Sequence, residues 1–569
     1  VNPHKRWWLE WELWLVLLLA AATDTMRMTA TVLCGEESRR GQVAREMLAT
    51  GDFLVPRLQG EPFLSRPPLQ NWAIALVGAL HVGADEVAVR VPSAVAVLLT
   101  VLLIYGYCRR FMSGLGAMVA AVAYATMGHM LQLGRLGETE AIYTLLVGGS
   151  LLAWHWADCC GRPGVWGWLA GYGLAGLGML TKGPQAPAYF AAGVGLFLLV
   201  TRRWRELLRW PHAAGILMFL AVWAAWEVPF ACRVGPAGAW KMLTADIGMR
   251  FQHPGWSDFF RHLVTFPLEV VGCMLPWSVL LTAYLWPGFR RSLRSGMAQA
   301  AGTADPAAVH VRFLLYVIAA TFPSCWLVTG ARNRYFAPIY PCIVPLIGLA
   351  ADRCCAALGA AVWTKTWRRF LLGMGLLMPG AGLGVAVATL LGWGPGLGQQ
   401  PPLFAGVYLA ACAALGLATF WAAGRPLALP PRLGALAVAA FLGLSYTGAV
   451  TNALRATGQP VRQNVAQLKE RLPREVRLVS IGPVEPMFAY YYGQPIRQIP
   501  KRQLGAHWHE DWEYFCTGYD QTQPECSFPF EELGSVSCNP MAAAAGKNMV
   551  LVGRRLKTDS AARPAPEYR

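Results

Sequence analysis

Acidic and cationic side chains recur together at a few places along this chain. Glu36 and Glu37 are followed by Arg39, Arg40, Arg45 and Glu46, and Arg66 stands before Pro67-Pro68. Arg135 precedes Glu138 and Glu140, and Lys182 sits in Leu-Thr-Lys-Gly-Pro. Arg250 is near His253, and Arg332, Arg334 and Tyr335 lie in Arg-Asn-Arg-Tyr. Cations of this kind suit a phosphate, and a carboxylate among them suits proton abstraction from a hydroxyl. The fourteen cysteines show no CxxC and no zinc spacing; Cys159-Cys160 and Cys354-Cys355 are adjacent pairs.

The elements that must position these residues are membrane helices. Apolar residues make up 55% of 569 positions, charged residues only 14%, and mean hydropathy is +0.37. Soluble chains carry about 25% charged residues. The apolar residues fall into runs long enough to cross about 30 Å of hydrocarbon at about 1.5 Å per residue. Helices are expected near 8–30, 88–107, 113–130, 141–157, 165–180, 186–200, 213–232, 266–286, 312–329, 337–351, 371–391, 404–423 and 433–451. Trp7–Ala22 is interrupted by Glu10 and Glu12 and reads as a retained first helix rather than a cleaved signal.

The net charge of +17 comes with arginines in short loops, among them Arg109-Arg110, Arg202-Arg203 and Arg368-Arg369. That pattern orients helices against a membrane, and no nucleic-acid motif accompanies it. It places the N-terminus in the cytoplasm and, with an odd helix count, the tail from about Thr451 outside. Residues 1–452 then form a membrane domain with a first outside loop at 35–90, and 453–569 form a soluble extracytoplasmic α/β domain. Trp72–Val82 is too short to span and is expected to lie along the interface or re-enter. In the tail, Gln463–Leu472 reads as an amphipathic helix, and Val476–Ile481 and Met549–Val552 read as strands. One disulfide plus a free thiol is expected among Cys516, Cys526 and Cys538, with the pair left open. Thr558–Arg569 reads as a disordered end.

On this topology the charged motifs all fall in outside loops, where positive charge is normally scarce. Charges near hydrocarbon are costly and mark substrate paths. The bland alternative is that they pair with one another or reach to headgroups.

Gly35-Glu-Glu-Ser-Arg-Arg-Gly-Gln-Val-Ala-Arg-Glu-Met-Leu48, Gly51-Asp-Phe-Leu-Val-Pro56 and Pro62-Phe-Leu-Ser-Arg-Pro-Pro-Leu69 resemble the first outside loop of GT-C glycosyltransferases. Within that group the chain resembles the bacterial aminoarabinose transferases of lipid A and the related protein O-mannosyltransferase-like enzymes. Val89-Arg-Val-Pro-Ser93, Leu180-Thr-Lys-Gly-Pro184 and Arg332-Asn-Arg-Tyr-Phe-Ala-Pro-Ile-Tyr-Pro341 continue the match in order. The resemblance covers residues 1–350 well and the later helices loosely.

It implies a multi-pass protein of the bacterial inner membrane that transfers a sugar from a polyprenyl-phosphate carrier to a lipid, protein or glycan acceptor. A sugar phosphate already has a good leaving group, so a base and fixed positive charge suffice for one inverting displacement. Glu36, where the family's acidic pair begins with Asp, is the expected base, and Glu138 is a second acidic position that orients the acceptor or shares the role. Arg66, Lys182, Arg332 and Arg334 are expected to hold the phosphate, with Arg135, Arg250, His253 and Tyr335 also on the substrate. Glu37 is expected to pair with Arg39 or Arg40. Where the aminoarabinose transferases carry Glu-Lys, this chain has Ser65-Arg66, so a divalent metal held there is not assigned. Two other readings use the same cations without chemistry: a transporter or flippase of lipid-linked or anionic solutes, and a non-catalytic relative that only binds lipid-linked sugar.

Overall fold

The computed structural model describes residues 6–556 except 82, 161–163, 249–254, 299–305, 357–361, 426–428, 474–475, 505–511, 521–525, 527 and 539–547. Arg250, His253 and Thr558–Arg569 lie outside the described residues.

The first helix, α1 (Trp11–Thr25), uses the two carboxylates that interrupt its apolar run. Glu10 accepts from Arg109 Nε and Nη2, both at 2.7 Å, and from Tyr105 Oη at 2.6 Å, while Glu12 accepts from Arg432 at 3.0 Å. Next comes α2 (Glu36–Thr50), which ends on Gly51 in the left-handed conformation that glycine adopts without penalty. A two-residue hairpin, β1 (Arg57–Leu58) with β2 (Glu61–Pro62), leads to α3 (Leu69–Leu80). At 12 residues α3 is about 18 Å long, with Leu76 and Leu80 exposed and Ile74 and Ala75 buried.

The bundle continues through α4 (Glu86–Cys108), α5 (Gly114–Thr126), α6 (Gly128–Leu133), α7 (Glu140–Cys159), α8 (Gly164–Lys182) and α9 (Gln185–Val200). It is completed by α10 (Trp210–Gly248, broken at Gly235, whose φ is 79°), α11 (Trp256–Cys273), α12 (Pro287–Ala298), α13 (Pro306–Thr321), α14 (Pro323–Trp326), α15 (Tyr340–Ala356), α16 (Thr366–Leu390), α17 (Pro402–Ala423) and α18 (Leu429–Leu444). Helix occupies the greater part of every expected span, although 113–130 is broken by the extended Met127 between α5 and α6, and the helices at 8–30 and 312–329 end at Thr25 and Trp326. Among the described residues, seven helices are long and apolar enough to cross a membrane, or eight if one bent pair counts as a single span. The bent pair corrects an expectation. Residues 266–286 are not one straight span: α11 and the turn Trp277–Leu285 meet at 119°. Pro276 has no N–H to give and pushes Leu275 out of helical conformation, which breaks the ladder there.

Small residues bring helices into backbone contact. A Cβ on Gly348 of α15 would stand 2.3 Å from the Gly116 carbonyl oxygen of α5, and one on Gly116 would stand 2.8 Å from Asp352 Cβ. Every residue of α5 is buried, which is how 13 residues hold a place at the centre of the bundle.

The last membrane helix does not stop. It passes through six residues of π-helix (Ser445–Val450) into α19 (Thr451–Glu470), which absorbs most of the amphipathic helix expected at 463–472. Beyond it lie β3 (Val479–Ile481), α20 (Pro486–Tyr492), β4 (Arg497–Ile499), β5 (Tyr514–Tyr519), β6 (Phe530–Ser537) and β7 (Met549–Arg555). They form one sheet in the order β4-β3-β5-β7-β6, parallel among the first three strands and antiparallel where β7 pairs with β5 and β6. The expected disulfide is not formed: none of the fourteen cysteines is bridged to another. Cys516 is on β5 and Cys538 follows β6, so β7 separates them. Two strand spacings of about 4.8 Å exceed what a disulfide bridges.

The contact between α5 and α15 generates a prediction. Gly348→Ala should cost about 1–3 kcal/mol by overpacking and lower the thermal midpoint in detergent. Gly380→Ala, with nothing within 4 Å of its Cβ, should leave it unchanged or higher. Equal midpoints would show that the two helices are not in backbone contact.

Candidate active site

Four segments converge where α2 begins. Glu37 is fully buried and accepts from Arg90 Nε at 2.8 Å and Nη2 at 3.0 Å. It also accepts from the Gly137 amide at 2.8 Å. Arg90 in turn donates to the carbonyls of Thr31 at 3.0 Å, Val32 at 3.1 Å and Met28. Glu37 therefore does not pair with Arg39 or Arg40 as expected. Those two arginines face Glu36, at 2.6 Å and 3.3 Å, because positions three and four ahead on a helix share its face.

With Glu37 turned inward, Glu36 faces Arg40, Arg66, Glu138, Thr139 and Glu140 in a closely packed cluster that leaves no room for a water molecule. Arg66 donates to Thr139 Oγ1 at 3.2 Å. Arg334 reaches Glu138 at 2.8 Å, and its Nε is 3.8 Å from Glu140. Lys182 donates to Glu140 at 2.8 Å and lies over the rings of Tyr335 at 4.9 Å and Tyr143 at 5.8 Å. Arg40 is buried to 1% exposure, and its Nε and Nη1 have no hydrogen-bond partner among the described residues.

The structure thus brings Glu36, Glu138, Arg66, Lys182, Arg334 and Tyr335 together. Arg135 goes elsewhere: it donates to the carbonyls of Thr23 and Met26 and lies over Tyr446, closing the end of α1. Arg332 is exposed at the start of the turn that carries Arg334. Two residues of the cluster have no substrate role in the sequence reading: Arg40, expected there only as a partner of Glu37, and Glu140. The spacing of four between Glu36 and Arg40 was the available signal for the first. Nothing local marked Glu140, whose partner Lys182 is 42 residues away.

The two candidate carboxylates are tuned in opposite directions. Burial raises the proton affinity of Glu36, but Arg40, Arg39 and Arg66 outweigh it and hold the group below its usual range. Glu138 is pushed up to about 7 by burial and by Glu140, against the pull of Arg334. Its short contact with Arg334 does not contradict this, because the one guanidinium is shared between two neighbouring carboxylates. Each acid of the cluster is already matched by a cation, so the donor set does not fit a divalent metal.

The bundle and a cluster of cations and carboxylates at one end of it define a GT-C-like membrane protein. Comparison with known proteins narrows the likeness. Residues 65–226 match the family described as dolichyl-phosphate-mannose-protein mannosyltransferase. The chain is 33% identical over 262 residues to an undecaprenyl phosphate-alpha-4-amino-4-deoxy-L-arabinose arabinosyl transferase of Pseudomonas aeruginosa, covering 44% of this chain and 45% of that one. With the corresponding protein of Edwardsiella ictaluri it shares 28% over 370 residues, 63% and 61% of the two chains. The aligned part thus spans about half the length of the curated relatives. The fold of ArnT from Cupriavidus metallidurans, solved bound to undecaprenyl phosphate, superposes with a TM-score of 0.66 at 17% identity, covering 96% of this chain and 98% of that one. In fold and sequence the chain resembles the aminoarabinose transferases.

The raised proton affinity of Glu138 makes a spectroscopic prediction. A protonated carboxyl band in the infrared should be present below pH 7 and fade as pH rises through about 7. Glu138→Gln should remove one carboxyl's share of that titrating band. The sign for stability follows: the bound proton favours the folded state fully below about 4.5, and that contribution is lost as pH climbs through about 7. A variant titrating like the parent would assign the band to another group.

Proposed function

We propose that this chain transfers a sugar from a polyprenyl-phosphate carrier to a hydroxyl of a lipid, protein or glycan acceptor, by one inverting displacement. The observation that carries the reading is the buried Arg40 guanidinium, with two nitrogens unpartnered among the described residues, packed with Glu36 and Arg66 in a cluster that must part to admit a ligand. A buried cation with unsatisfied donors is costly unless an anion completes it. The donor phosphate would do so, joined by Arg66, Lys182 and Arg334. The named substrate of the arabinosyl transferase relatives, a sugar on undecaprenyl phosphate, supports the same donor class. Departure of the phosphate needs no general acid, and removing any one of these cations would raise the transition state by about 2.7–4 kcal/mol.

Glu36, kept ionised by its arginines, faces the acceptor hydroxyl and draws its proton as the new bond forms. Glu138, with the higher proton affinity, is the group on which that proton can rest. The acceptor approaches through a cleft of about 650 Å³ between the start of the chain and the sheet. Arg39, Glu485, Gln498, Tyr519 and Asp520 line this cleft, and Arg39 also touches Glu36. Residues 1–452 would then be the transferase unit, with 453–569 as a wall of its acceptor side. The partners are the lipid-linked donor, the acceptor and membrane lipids, with no nucleic acid.

Glu36→Gln should retain fold and lipid-phosphate binding while transfer falls by about 100-fold or more, the contribution of a positioned base. Glu37→Gln should instead lower stability, since it disturbs the Arg90 pair. Purified protein with a polyprenyl-phosphate sugar and candidate acceptors, scored per folded protein, decides. Full specific activity in Glu36→Gln would remove it as the base. Carrier-dependent solute movement in vesicles without glycosylated product would replace the transferase by a transporter.

We further place the site and the sheet outside the inner membrane, with the N-terminus in the cytoplasm, on the arginine asymmetry of the short loops. With the exposed Cys159 and Cys232 replaced by Ser, an impermeant maleimide on intact cells should label Ala49→Cys and leave Leu208→Cys unlabelled. The reverse pattern would turn the protein over.

A further inference from the structure

At the far end of α7, three donors converge that the transfer reading does not use. His155 and Cys159 are four apart on α7, and His310 meets them from α13. One ligand atom of each lies within 4.8 Å of both others. Glu140 opens the same helix 19 residues before Cys159, about 28 Å away along its axis. This cluster is therefore separate from the carboxylate site.

Its geometry is that of metal ligands held ready. Cys159 Sγ is 3.4 Å from His155 Nε2. Zinc bonds of about 2.3 Å to sulfur and about 2.0–2.1 Å to nitrogen, at tetrahedral angles, place the two donors about 3.6 Å apart. His155 Nδ1 is engaged at 2.7 Å by Tyr107 Oη, which leaves Nε2 as the coordinating nitrogen and fixes the ring. The His155 ring stacks on Phe313 at 4.0 Å with 1° between planes, and His310 stacks on Phe111 at 4.3 Å. The two imidazoles meet edge to face at 5.0 Å. Both histidines are buried, whereas Cys159 is exposed, so an ion has a way in past the thiol.

We propose that His155, Cys159 and His310 bind a zinc-class divalent ion, with water in the fourth position. Two nitrogens and one sulfur are a borderline-soft donor set that favours zinc over magnesium or calcium. On binding, the Cys159 thiol gives its proton to solvent and ligates as thiolate. The ion ties α7, which carries Glu140 at its other end, to α13, whose continuation carries Arg334.

The full-length protein in detergent, stripped with a chelator and titrated with Co(II) alone, tests this. One equivalent should produce a thiolate-to-cobalt charge-transfer band that stoichiometric Zn(II) displaces. Cys159→Ser, at an exposed position, should lose the band while keeping the thermal midpoint of the stripped parent. Cys160→Ser should keep the band, and Tyr107→Phe should weaken binding about 10–100-fold. No band in the parent, or an undiminished band in Cys159→Ser, would overturn the site and reduce the cluster to a thiol–imidazole hydrogen bond.

Discussion

A buried carboxylate–guanidinium pair, Glu37 with Arg90, sets the geometry on which the candidate site depends. Removing two charges from water is costly, and the attraction between them repays it only when the remaining hydrogen-bonding groups are satisfied. Here they are. Arg90 donates to three carbonyls of the segment after α1, and Glu37 takes the Gly137 amide as well. The pair thereby splices α2, α4, the segment 28–32 and the loop before α7. The two candidate acids are the sequence neighbours of its members: Glu36 adjoins Glu37, and Glu138 adjoins Gly137. Gly137 cannot be replaced without disturbing this, since a Cβ there would stand 2.2 Å from the Val89 side chain.

From that fixed geometry the electrostatics follow. Glu36 lies under three guanidiniums and stays charged, while Glu138 has another acid two residues on and shares its arginine. Two glutamates of one cluster thus acquire different proton affinities from their neighbours alone. A group that keeps its charge and one that titrates near neutrality divide the work of drawing a proton and holding it.

Much of this was legible in the sequence, and the remainder fails for definable reasons. Apolar runs placed helix at every expected span, because length and composition are local properties. Lys182, Arg334 and Arg66 stood out as cations in loops expected outside, and the structure brings them to one cluster of acids. Pairings across long separations were not legible: Glu37 and Arg90 are 53 residues apart, and a local rule favoured Arg39 or Arg40 instead. Arg135 carried the same local signature as the site residues yet closes a helix end. The bend at Pro276 was missed because hydropathy averages over the one residue that breaks the ladder.

The helix that links the bundle to the sheet carries a further consequence. From Leu429 to Glu470 it runs 42 residues, about 60 Å along its path, through a π-helical stretch and past Pro460. The sheet domain is held laterally as well, since Gln42 and Arg45 of α2 donate to the carbonyls of Pro486 and Tyr490, and Tyr491 donates to Glu86, so the rotational phase of this strut has to agree with these contacts. One residue added to the strut advances everything beyond it by about 1.5 Å and turns it by about 100°. The π-helical segment at Ser445–Val450 is such an adjustment already built in, since a π turn accommodates an extra residue within the α-helical ladder. The wall that the sheet lends to the cleft is thus set jointly by the phase of this helix and by the contacts of α20 with α2, and a change of length in α19 would put the two out of register.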